Sequence, residues 1–215
     1  MKELNNLIKK AELAQDNTAK LETVGSVMAV YGYTAERMVN DRNILSDARK
    51  AVIDFEREHG EQDAAYAELT LVKEYFHKEY IKHVRLARVA LKAFKAGWNE
   101  LALNGRRKFT MGDYLAQADV FYTNLMGSRD YTSKMAKFGQ DIDTLSEARN
   151  MLDDLKAKYA AYKKEKGEAE KSTEQKYKAA DALAEWYSDF CEVAKVAFMD
   201  DPQMLETIGI LARSN

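Results

Sequence analysis

Two Glu-x-x-His pairs, Glu56/His59 and Glu74/His77, come nearest in this chain to metal chemistry. Residues three apart share one side of a helix. Two such motifs, joined by a lone glutamate from each of two further helices, make the carboxylate-bridged di-metal site of ferritin-like bundles. Three features oppose that reading. His59 abuts Gly60, which places it at an expected hairpin tip. Glu74 and His77 fall off the apolar stripe through Leu69, Val72, Phe76 and Tyr80. The positions 107 residues further on hold Lys166 and Ala184 in place of the two histidines. No metal ligands and no cofactor are expected.

His83 does lie on the stripe, and the residue 107 positions later is Phe190. A position that accepts either ring predicts a core imidazole with a satisfied nitrogen rather than a catalytic base. Tyr80, one turn earlier, recurs as Tyr187 and is expected to hydrogen-bond at an interface between halves. Arg42-Asn43 recurs as Arg149-Asn150, the polar pair kept intact at that offset. An arginine flanking the stripe between Met38 and Leu45 predicts an ion pair with a neighbouring helix, its stem laid over the core. A buried clamp for phosphate or carboxylate is the alternative. These seven residues are the candidate polar positions, and none is singled out as catalytic. Cys191, beside Phe190, reads as a small buried hydrophobe, and the basic run "GRRK" from Gly105 to Lys108 as a solvated linker. The phosphate-loop, dinucleotide, nucleophile-elbow, C-x-x-C and H-E-x-x-H motifs are missing.

The elements that must position these residues come from a repeat. "MAVYGYTAERMVNDRNIL" from Met28 and "MAKFGQDIDTLSEARNML" from Met135 align at an offset of 139 − 32 = 107, glycine on glycine. The same offset takes Gly60 to Gly167 and Tyr80 to Tyr187, and sets Trp98–Leu103 on Leu205–Ile210. A rival match of "LSDAR" with "LSEAR" has an offset of 100, one heptad short, and fails to superimpose the glycines. The expectation is an all-α chain made by tandem duplication: a first repeat over 1–104, a linker over 105–110 and a second repeat over 111–215, packed as one compact unit.

Steps of three and four through Leu4, Leu7, Ala11, Ala14, Thr18, Leu21, Gly25 and Met28 predict one helical stripe. In the second copy Gly127, with a restart at Ser128 or Asp130, breaks that helix. Gly32 and Gly139 end it, with Thr34 and Asp141 as caps for the next. That helix is expected over about 35–58, then a turn at "EHGEQ" or "EKGEA", then a long antiparallel helix over about 63–94. Thr110 with Asp113 forms a capping box opening the second copy, and Pro202 suits the first turn of a last short helix.

Bulk properties agree with helices and exclude several functions. Of 215 residues, 46% are hydrophobic and 32% charged, with one proline and a net charge of −2. Such a balance gives no general polyanion binder and no cationic membrane surface. A single cysteine forbids an internal disulfide, and a polar start without an apolar run makes a cytoplasmic protein the expectation. "FYTNLM" (121–126), "KGEAEKST" (166–173) and "WYSDFCEVAKVAFMDDPQMLETIGI" (186–210) resemble a family of uncharacterised bacterial proteins with F-Y-x-N-L, KGEA and W-x-S-D-F segments. The resemblance implies a bacterial, all-helical protein and carries no activity or functional residues. The functional expectation is a non-enzymatic interaction or scaffold protein, bound to a protein partner or to itself, with neither nucleic acid nor membrane as partner. The alternative is a small-ligand or metal-binding bundle, enzyme included, with its site near Tyr80, His83 and Tyr187.

Overall fold

The computed structural model describes residues 2–211, which form eight helices and no strand. In chain order these are α1 (Lys2–Lys20), α2 (Glu22–Val30), α3 (Ala35–Ala90), α4 (Lys95–Glu100), α5 (Met111–Gly127), α6 (Arg129–Ala136), α7 (Ile142–Ala197) and α8 (Gln203–Thr207).

Local chemistry sets most boundaries. Gly32 and Gly139 take positive φ, +89° and +71°. The next amide in each case reaches back five residues, Tyr33 N–H to Met28 O and Gln140 N–H to Met135 O. This left-handed stop would strain a side-chain-bearing residue. Thr34 Oγ1 then accepts from the Arg37 amide, and Asp141 Oδ1 from the Thr144 amide. Thr110 accepts from the Asp113 amide and opens α5 as expected. Pro202 stands one place before the expected position, as the cap of α8.

The break at Ser128 is present, with its hydroxyl accepting from the Tyr131 amide. The N-terminal stripe breaks as well, at Leu21, whose φ −97° and ψ 106° resemble the −113° and 113° of Ser128. The apolar stripe passes through Leu21 without a signal. What marks the joint is Gly25, where an added Cβ would lie 2.7 Å from the Thr18 carbonyl oxygen.

The expected turns at "EHGEQ" and "EKGEA" are absent. Both α3 and α7 run unbroken for 56 residues. A glycine ends a helix by adopting positive φ, and neither Gly60 nor Gly167 does so. Each is flanked by good helix formers, against which one glycine costs only about 1 kcal/mol relative to alanine. Nothing lies within 4 Å of a Cβ built at either position. Gly60→Ala and Gly167→Ala should therefore each stabilise the protein by about 0.5–1 kcal/mol. A urea titration checks this, and a loss at either site would mean that the chain bends there.

Two compact units result, Met1–Gly60 with Gly167–Asn215, and Glu61–Lys166. This division cuts across the expected repeats, because each unit takes helix from both 1–104 and 111–215. In the first unit Ala11 and Ala14 of α1, Met28 of α2 and Met38 and Ala48 of α3 are buried with Leu183, Phe190 and Ala194 of α7. In the second, Phe76 and Tyr80 of α3 and Leu91 just after it meet Phe121, Tyr122 and Leu125 of α5 and Leu145 and Leu152 of α7. Each fully buried Leu or Phe contributes about 1.5–3 kcal/mol over an exposed one.

Candidate functional site

The polar candidates divide between the units. Tyr80 and His83 belong to the second unit and Tyr187 to the first. One helical turn of α3 separates Tyr80 from His83, and both side chains are fully buried.

His83 sits between two partners that sequence reasoning did not select. Its Nδ1 is 2.9 Å from the Tyr122 hydroxyl and its Nε2 is 2.8 Å from Gln140 Oε1. The Gln140 amide nitrogen donates to the Phe138 carbonyl, so its oxygen faces the imidazole. The directions follow: Nε2–H donates to Gln140, and Nδ1 accepts from Tyr122. A neutral ring is fully satisfied in this way, as the core reading of His83 expected. Burial also holds its pKa below the ordinary value, with the Gln140 hydrogen bond opposing.

Around this pair lies an aromatic cage. Tyr80 stacks on Phe76 at 5.5 Å and meets Phe121 edge-on at 5.6 Å. Its hydroxyl accepts from Arg107 at 2.9 Å, and the same guanidinium donates to the Ala102 carbonyl at 2.7 Å. Arg107 is thus half-buried and bonded, not the solvated linker residue expected of "GRRK". Burial pushes the Tyr80, Tyr114 and Tyr122 hydroxyls above the usual phenol range. These are neutral hydrogen-bonding groups, so the cluster is a saturated polar core with no free base or nucleophile.

The first unit fills the matching positions with other chemistry. Phe190 stands 107 residues after His83, and Tyr33 and Gln15 stand 107 before Gln140 and Tyr122. Tyr33 meets Phe190 edge-on at 5.1 Å, and Trp186 stacks on Phe190 at 5.3 Å. Trp186 donates its indole N–H to Asp41 at 2.8 Å. Burial raises the pKa of Tyr187 to about 12 and raises that of Cys191 beside it, which leaves the cysteine an unreactive thiol.

The arginines pair as their structural reading required. Arg42 lies 3.7 Å from Asp16, and Arg149 lies 2.9 Å from both Asp119 and the Thr123 hydroxyl. Arg49 with Glu12 and Lys156 with Asp119 repeat the pattern one step along. The hydrogen bond from Lys156 holds the Asp119 pKa below its ordinary value, aided by Arg149. Such partly exposed pairs contribute about 0–1 kcal/mol each. Asn43 and Asn150 are exposed.

The histidines of the Glu-x-x-His pairs have other partners. His59 is 3.0 Å from the Thr173 hydroxyl, and His77 is 3.1 Å from the Tyr114 hydroxyl. Tyr122, Gln140 and Arg107 carry no signal in spacing or composition.

No protein family, no curated protein and no solved structure matches the chain.

Proposed function

We propose that this chain is a non-enzymatic helical interaction protein, a scaffold that binds a protein partner or a second copy of itself. One observation carries the reading. In the second unit Leu71 and Tyr75, one turn apart on α3, are each 55% exposed, although the opposite side of that helix already buries Leu69, Phe76 and Tyr80. Val89, 18 residues after Leu71 and so on the same side, is 57% exposed. In the first unit Val39 and Ile53 of α3 stand 64% and 65% exposed. A helix needs one apolar stripe to pack its own core, and a second one facing solvent marks an interaction surface. The best-formed polar constellation, at His83, is saturated and buried, which favours this reading over catalysis.

The duplication belongs to the same proposal. α3 and α7 have equal length and start 107 residues apart, at Ala35 and Ile142. The breaks at Leu21 and Ser128, the left-handed glycines and the Glu12–Arg49 and Asp119–Lys156 pairs keep that offset. Ala102 and Gly209, both at positive φ, keep it too. An antiparallel course of α3 against α7 is supported within the first unit, where Asp41 meets Trp186 and His59, further along, meets the earlier Thr173. No helix among the described residues is long and apolar enough to cross a membrane, and a cytoplasmic site of action fits this reading.

Leu71→Glu with Tyr75→Glu tests the proposal. Exposed substitutions should leave stability within about 0.5 kcal/mol. Light scattering across the micromolar to millimolar range should find association in the original chain and its loss in the double variant. A chain that stays monomeric and crosslinks to no partner in its source cell would overturn the reading.

A further inference from the structure

The second unit carries a concentration of positive charge at the end of α3 that the whole-chain balance hides. Residues 85–108 hold Arg85, Arg88, Lys92, Lys95, Arg106, Arg107 and Lys108 against Glu100 alone, or 7 − 1 = +6, in a chain of net charge −2. The segment 107 positions on, 192–215, holds Lys195 and Arg213 against Glu192, Asp200, Asp201 and Glu206, or 2 − 4 = −2. The charge is therefore particular to this place.

Two of these seven cations, Lys92 and Lys95, line a cleft. Lys92, Lys95, Trp98, Asn99 and Asn104 line a space of about 480 Å³, which lies within the range of small-molecule sites. Neither lysine makes an ion pair or hydrogen bond among the described residues, and no carboxylate lines the cleft. The half-buried Trp98 donates its indole N–H to the Leu91 carbonyl at 2.9 Å, which fixes the ring. Asn104 donates to Asn99 at 2.6 Å, so the two amides form one polar edge.

The loop that carries Asn104 is held unusually firmly. Arg88 donates to the Leu103 carbonyl at 3.0 Å and to the Gly105 carbonyl at 3.0 Å, and Arg107 holds the Ala102 carbonyl. Ala102 itself sits at φ +48°, a conformation that favours glycine. Residues 107 on from the lining set are Met199, Pro202, Leu205, Glu206 and Leu211, none of them cationic.

We propose that this cleft binds a small phosphate-bearing molecule with a flat ring, of the nucleotide class. Lys92 and Lys95 take the phosphate, the fixed face of Trp98 takes the ring by stacking, and Asn99 and Asn104 hydrogen-bond the portion between. The inference is independent of the interaction surface at Leu71 and Tyr75.

AMP is the probe, with inorganic phosphate and adenosine as its two halves. Calorimetry on the unaltered chain and fluorescence of a Trp186→Phe variant, which leaves Trp98 as the one tryptophan, read the binding. AMP should release heat and quench Trp98, more weakly as salt rises. Lys92→Gln with Lys95→Gln should weaken AMP at least about tenfold, the loss of one or two charge-assisted contacts, with the melting temperature unchanged. Adenosine alone and phosphate alone should each bind less tightly than AMP. No heat and no quench at millimolar AMP would overturn the proposal, as would equal binding by the double variant or by adenosine. Dissociation of a self-associated form in the lysine variant, without AMP binding, would assign the patch to the acidic segment of a second copy and overturn it too.

Discussion

Replacing His83 by alanine should cost about 3–5 kcal/mol of folding stability, the range of a large truncation in a close-packed core. The imidazole is fully buried, and its loss opens a cavity while leaving the Tyr122 hydroxyl and Gln140 Oε1 without partners. Phenylalanine, the residue at 190, fills the space but still orphans both groups, and should cost about 1–3 kcal/mol. Adding Tyr122→Gln and Gln140→Tyr, the residues at 15 and 33, should recover part of that loss. Urea midpoints at constant slope read all three. A neutral His83→Ala would mean that the network contributes nothing.

The same residue gives stability a pH dependence. Burial lowers the folded-state pKa of His83 below its unfolded value. The unfolded chain then binds the proton first, so this contribution is full above the unfolded pKa of about 6.5 and is lost as pH falls through it towards the folded value. Urea titrations from neutral to mildly acid pH should show the fall, and His83→Phe should remove the part due to this ring. An unchanged slope in that variant would place the dependence elsewhere.

Gly25→Ala is the second large effect, and it runs opposite to Gly60→Ala. A methyl group there would lie 2.7 Å from the Thr18 carbonyl oxygen, a backbone atom that cannot rotate aside. Relief requires α2 to move, and Val24 and Met28 of that helix are fully buried. The expected loss is about 2–3 kcal/mol, as for overpacking of a core, measured by thermal or urea unfolding. A loss too small to measure would show that the joint at Leu21 yields freely.

Helical class, most caps and the left-handed glycine stops were legible in the residues, because each rests on local chemistry: a hydroxyl at Thr110 or Ser128, a positive φ at Gly32. The uninterrupted course through Gly60 was not. A glycine among glutamates looks the same whether the helix stops or continues, and the choice is made by packing on either side of it. His83 was legible as a core ring because Phe190 stands at its offset. Its partners were not, since Tyr122 and Gln140 come from α5 and from the turn before α7, and only the tertiary fold brings them to it. Arg107 was misread for the same reason: a basic run in a linker gives no hint that one of its side chains turns inward to Tyr80.

Each compact unit is built from both halves of the sequence, and expressing residues 1–107 and 108–215 separately tests this most directly. In 1–107 the apolar side of α1, with Ala11 and Ala14, has no Leu183, Trp186 or Phe190 to cover it. Each piece alone should fail to give a cooperative melt as a monomer, and mixing the two should restore the helicity and melting of the intact chain. A monomeric 1–107 that melts cooperatively by itself would contradict the account.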